Sequence, residues 1–247
     1  MLGILALSSL AGFSAAADAR FDFRRDAKQM VLVAAESVEG LRAKVSLWEK
    51  ASDGWHRHSE NIPAVVGRHG LGLGKGLHEP DFLGLRLPPK KEGDLKAPAG
   101  VFLFGDIYGY APKPSKILKL NYVQVFDSFE GVDDPTSKFY NRIVDTRAIR
   151  PAERDWKSHE VMRRKDDLYK WLAVIRHNET NAPGDGSLIF MHVWKGPDQG
   201  TAGCTAMEES NLLKVLRWLD PAKHPILVQI PASAINDWWR SWIRTPN

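Results

Sequence analysis

The stretch QMVLVAAESVEGLRAKVSLWE, residues 29–49, decides the fold class. Gln29–Ala35 is an apolar run of strand length. Residues 36–40, ESVEG, have turn composition. Residues 43–49 alternate apolar and polar with period two, so they read as the antiparallel partner of the first run. Residues 51–54, ASDG, give a second turn, and residues 55–58 and 62–66 are two more short strands. A meander with turns about every ten residues argues for a sandwich or barrel. Further strands are expected at 101–104 after a turn at 97–100, and at 118–126, 140–144, 171–176, 188–194 and 225–230. Residues 129–140 read as a turn-rich loop and 161–176 as a short helix running into a strand. The firmest helix is 207–219. Leu212, Leu213, Val215, Leu216 and Leu219 form its apolar face, Ser210 is the candidate cap, and Asp220-Pro221 stops it. Residues 237–243 are a Trp-rich tail. The expected fold is therefore mainly β with a few helices.

Size and composition set limits. A chain of 247 residues, 43% hydrophobic, can bury a full core as one domain. Its net charge of +4 is mildly basic, but Lys and Arg are scattered and form no stripe interleaved with aromatics. That argues against a nucleic-acid partner. Residues 1–17, MLGILALSSLAGFSAAA, carry an apolar core of signal-peptide length and a small-residue cleavage site before Asp18, although no Lys or Arg precedes the core. The expectation is an exported protein whose mature domain is 18–247, with no integral membrane segment. The glycine-rich run GRHGLGLGKG, residues 67–76, lacks the Gly-Lys-Ser/Thr and the following helix that a phosphate loop needs, and reads as a flexible loop at a site edge.

Chemistry concentrates in SLIFMHVWKGPDQGTAGCTAM, residues 187–207. It holds the single cysteine, Cys204, and His192 lies twelve positions upstream at the end of an apolar run. A thiol is a strong nucleophile as thiolate, and an imidazole is the usual base for making it one. Gly203 lets the backbone turn tightly before the thiol. N–H groups around Gly203, Cys204 and Thr205 could form an oxyanion hole, and the following helix could offer its positive end. Thr201 could fix the turn. Trp194, two positions beyond His192 on the same strand face, could wall the site or simply pack. A lone cysteine is also commonly a small buried hydrophobe. No CxxC or HExxH spacing points to a metal.

The run from His192 to Thr201-Ala202-Gly203-Cys204 resembles the catalytic motif of L,D-transpeptidases of the YkuD type. The resemblance extends over about residues 60–231 through ordered blocks: Gly76-Leu77-His78, Glu92-Gly93-Asp94 with Pro98-Ala99-Gly100, Val132-Asp133-Asp134-Pro135 with Tyr140-Asn141-Arg142, and Trp156 with Ser158, Glu160 and Met162. The resemblance implies a β-sandwich or barrel with one helix after the catalytic cysteine. It implies a periplasmic enzyme acting on peptidoglycan stem peptides, with no metal or cofactor. Cys204 would be the nucleophile and His192 the base, with Gly203 in the turn. Transfer to an amine makes a cross-link; transfer to water would make an L,D-carboxypeptidase. A non-catalytic wall-binding module is a third reading. Thr205-Ala206-Met207 stands where many members carry an Arg after the cysteine, so carboxylate binding must come from elsewhere, with Arg142 a candidate. His78, Trp194, Thr201 and Thr205 complete the candidate substrate contacts. His78 could equally be an ordinary loop residue, and Glu160 could orient the imidazole.

Overall fold

The computed structural model describes residues 21–112 and 118–243; the expected leader, residues 1–17, lies outside them. Eight strands close on themselves. In ring order they are β1 (Gln29–Ala35), β14 (Ile226–Pro231), β6 (Ala97–Gly109), β11 (Leu172–Ile175), β12 (Phe190–Val193), β13 (Thr205–Met207), β4 (Ile62–Val65) and β2 (Arg42–Ala51), with β2 pairing back onto β1. Two pairings in the ring, β1–β14 and β12–β13, are parallel. Three strands extend the ring: β3 (Gly54–Arg57) beside β2, and β5 (Leu71–Leu73) and β7 (Tyr122–Gln124) beside β6. A separate antiparallel sheet is formed by β10 (His159–Val161), β8 (Phe129–Val132) and β9 (Arg142–Asp145).

The continuous apolar character of β1 has a direct cause. Val31, Val33 and Ala35 face the barrel interior with Val45, Leu47, Met191 and Leu227. Met30 and Leu32 face outward into a second cluster with Phe23, Val101, Val228 and Trp238. A strand covered on both faces needs apolar residues on both. The inner cluster is completed by helix α2 (Glu209–Trp218), whose Leu212, Val215 and Leu216 are fully buried. The outer one is closed by the single turn α1 (Phe23–Asp26) and by α3 (Ile235–Ile243). Trp238 on α3 is 1% exposed, and its ring stacks on Phe23 at 6.4 Å and meets Phe82 edge-on at 5.7 Å. Trp238→Ala should lower stability by about 3–5 kcal/mol in urea unfolding, because the indole fills space that nothing else reaches.

The mainly β reading of the sequence holds, and the helix expected directly after Cys204 is present with changed bounds, but it is not the single one: α3 follows it. That helix begins at Glu209, since residues 205–207 form a barrel strand between β12 and β4. Its N-cap is Glu208, and Ser210 instead donates to the Glu208 carboxylate at 2.8 Å. Residues 97–100 are not a turn but the start of β6, which runs thirteen residues. The glycine that suggested a break, Gly100, is there because the His78 ring occupies the space a Cβ would take. Of 118–126 only Tyr122–Gln124 is strand, and the helix expected within 161–176 is absent. The 129–140 loop contains β8, and the Trp-rich tail is α3.

Candidate active site

Strand β12 places the chemistry. Met191 and Val193 point into the barrel, so the period of two turns Phe190 and His192 outward. They face a third apolar cluster of Val125, Met162, Tyr169, Leu172 and Leu188, which also contains Cys204. The small sheet covers this face: a Cβ on Gly131 of β8 would meet Leu188 Cδ1 at 2.8 Å. Parallel pairing of β12 with β13 sets His192 opposite Ala206, and Cys204 is delivered just before β13 begins.

Both side chains line one cavity of about 850 Å³, together with Lys90, Glu92, Asp133, Glu160, Tyr169 and Trp194. The thiol is 7% exposed and the imidazole 6%. Sγ accepts from the Phe190 N–H at 3.3 Å, and the thiol donates to the Leu188 carbonyl at 3.6 Å. The His192 Nδ1 lies 2.7 Å from the Val193 carbonyl. A carbonyl only accepts, so Nδ1 carries the proton, and in the neutral ring Nε2 is the basic nitrogen. Burial pushes the thiol up to about 12 and the imidazole down to about 4. The pair therefore rests uncharged.

The turn carrying Cys204 is fixed from several sides. Thr201 Oγ1 donates to the Cys204 carbonyl at 2.6 Å and accepts from the Gly203 N–H at 3.1 Å. The Thr201 N–H donates to Val66, and the Thr201 carbonyl accepts from Arg68, both at 2.9 Å. Gly200 lies so close to Arg68 that a Cβ would sit 2.6 Å from its Cα. The run 67–76 is accordingly a packed support, with β5 in its middle, and not a flexible loop.

The sequence candidates separate clearly. Cys204, His192, Gly203, Trp194 and Thr201 line the common cavity. His78 does not: its Nδ1 accepts from the Val101 N–H at 3.1 Å, and its ring packs on Phe82 and Phe102. Thr205 is 1% exposed and donates to Gln229 on β14 at 2.5 Å, so it ties strands together. Arg142 lines a neighbouring cavity of about 340 Å³ with His177 and Glu179, away from the thiol. The guanidinium in the Cys204 cavity with a fixed pose is Arg164, bidentate to Asp166 at 2.8 Å and stacked over Tyr169 at 5.2 Å. The start of α2 is separated from Cys204 by β13, too far for the charge at its first turn to act. The Gly203 N–H is already bonded to Thr201, which removes it from the oxyanion donors.

The remaining blocks divide between support and cavity wall. Asp134 accepts from Thr136 and from Lys157 and builds a turn, whereas its neighbour Asp133 lines the cavity. Tyr140 donates to Glu92 at 2.5 Å, Ser187 donates to the same oxygen at 2.7 Å, and Asn141 clamps Leu188 to residues 177 and 178. Glu160 accepts from Tyr169 at 2.5 Å, and the Tyr169 ring meets His192 edge-on at 5.3 Å. Burial raises the Glu160 carboxyl. Sequence reasoning missed Lys90, Arg164 and Tyr169. Lys90 stands two residues before the Glu92 block, the one signal that pointed to it.

The buried imidazoles make stability depend on pH. Burial also lowers His177 to about 4, and its Nδ1 accepts from the Lys75 N–H. In the unfolded chain both rings bind a proton near pH 6.5, whereas in the fold they bind one only near 4. The unfolded state then holds more protons, so stability is complete above pH 6.5 and falls as pH drops toward 4. The raised Glu160 carboxyl works with the opposite sign and offsets part of this. Urea midpoints across that window should fall on acidification, with an overall loss of about a few kcal/mol.

Among solved structures, the chain is similar to the Bdellovibrio bacteriovorus protein Bd1075, at 12% identity and a TM-score of 0.42, covering 87% of this chain and 55% of that one. It is also similar to the helical cell shape determining protein Pgp2 from Campylobacter jejuni, at 14% identity and a TM-score of 0.39, covering 88% of this chain and 57% of that one. The chain thus spans little more than half the length of either. No protein-family model and no curated protein matches it. Among the described residues no helix is long and apolar enough to cross a membrane.

Proposed function

We propose that this chain is an exported, periplasmic L,D-transpeptidase acting on peptidoglycan stem peptides. The observation that carries the reading is that Cys204 and His192 line one cavity, with Nδ1 of the ring engaged by the Val193 carbonyl. The sulfur attacks the carbonyl carbon of the L,D bond after the diamino acid, and the thiol proton passes to Nε2. The tetrahedral intermediate collapses with cleavage of the C–N bond, and the imidazolium returns the proton to the leaving amine. An amine of a second stem then attacks the thioester, gives its proton to His192 and restores the thiol. An uncharged resting pair suits this sequence, since charge develops only as the bond forms. The cavity wall carries cations at Arg68, Arg164 and Lys195 and carboxylates at Glu92, Asp133 and Glu160. Both signs are needed to hold a peptide bearing free amines and carboxylates.

Incubating the purified protein with tetrapeptide muropeptides tests this reading. Dimers are the expected product. Tripeptide monomers would make the protein an L,D-carboxypeptidase, and binding to sacculi with no product would make it a wall-binding module.

A further inference from the structure

Lys90 is a buried lysine beside the nucleophile. Its side chain is 3% exposed. The stem runs past Gly186, where an added Cβ would meet Lys90 Cγ at 3.1 Å and Cε at 3.2 Å. Its far end reaches the turn of the nucleophile: Lys90 Cε lies 3.7 Å from the place of a Cβ on Gly203. Nζ donates to the Asp94 carboxylate and to the Lys91 carbonyl, each at 2.6 Å. Asp94 is itself fixed by the N–H groups of Lys91 at 2.8 Å and Lys96 at 2.9 Å. An ammonium has three donors. Two go to protein oxygens here, and the residue lines the Cys204 cavity.

Taking an ammonium out of water is costly, and a leucine or methionine would fill the same channel without that cost. The charge therefore calls for a use. We propose that Lys90 is a positioning residue for charge: an ammonium locked by Asp94 behind the Gly203–Cys204 turn, which favours the negative charge carried by the sulfur and then by the reacting carbonyl oxygen. The inference rests on the transpeptidase reading of the same cavity and fills the place left by the Gly203 N–H, which Thr201 occupies. The other ionisable groups around the sulfur are Glu160 on β10, which disfavours negative charge there, and Tyr169 and His192, which line the same cavity. Around Lys90 itself stand Asp94 and the His177 ring. Among these groups Lys90 is the one that lowers the cost of a negative sulfur by its charge.

The test is alkylation of Cys204, the only cysteine, by neutral iodoacetamide and anionic iodoacetate, followed by intact mass between pH 7 and 9. Lys90→Gln keeps donors for Asp94 and the Lys91 carbonyl but removes the charge. It should slow iodoacetamide about tenfold, equivalent to about one pH unit in thiolate formation. It should slow iodoacetate further, so that the iodoacetate-to-iodoacetamide rate ratio falls about fivefold. Lys90→Arg should restore both. A loss of packing or access alone would slow the two reagents equally and leave the ratio unchanged. If Lys90→Gln does not fold, the double variant Lys90→Met, Asp94→Asn removes the whole ion pair, and its ratio should fall in the same direction. An unchanged ratio in a folded variant overturns the proposal. No peptide is involved, so the absence of muropeptide products from the unmodified protein would sink the transpeptidase reading and leave this test standing.

Discussion

Cys204→Ala should abolish covalent adduct formation with a carbapenem and lower muropeptide turnover by about 10⁴-fold or more. The fold should survive. The side chain is small, its Sγ makes one contact to a backbone N–H and one to a carbonyl, and the turn is held by Thr201 and not by the sulfur. The urea midpoint should therefore move by no more than about 1 kcal/mol in equivalent stability. Intact mass after carbapenem treatment reads the adduct directly: one addition on the native chain and none on the variant. Undiminished turnover by the variant would remove Cys204 from the chemistry altogether.

His192→Asn should cost about 10²–10⁴-fold in kcat/KM and change the shape of the pH profile. In the native site the imidazole is held down to about 4 by burial, so its basic form is present throughout the range above that value. The acid limb of kcat/KM should then lie near pH 4, well below the 6.5 of a free imidazole. Without the base, the thiol, raised to about 12, must ionise unaided, and the rate should climb about tenfold per pH unit across neutral pH. An acid limb near 6.5 in the native protein would show an imidazole not lowered by burial, and a flat profile in the variant would exclude His192 as the proton acceptor.

The parts of the fold that were legible in the sequence are those with local signals. Gln29–Ala35 and its antiparallel partner were readable because apolar character and turn residues sit next to each other in the chain. Strands β8, β10 and β13 were not. They are three or four residues long, too short for an alternation to stand out from the surrounding loops. Met207, the last residue of β13, was read as the start of the helix because Met suits either state. In the site, Cys204 and His192 were legible from residue type and spacing. The roles of His78, Thr205 and Arg142 were not, since each turns on which face of its segment points to the cavity. Lys90 and Tyr169 reach the thiol only through tertiary packing.

The parallel pairing of β1 with β14 joins the two ends of the described chain, Met30 opposite Ile226. Until that last strand arrives, β1 and β6 each lack a neighbour and the ring is open. Loop closure over nearly the whole chain is slow in entropic terms, and proteins dominated by such distant pairings fold on millisecond-to-second times. During synthesis the ring should thus stay open until β14 has emerged. The barrel wall behind Cys204 and His192 would then be completed in one late step.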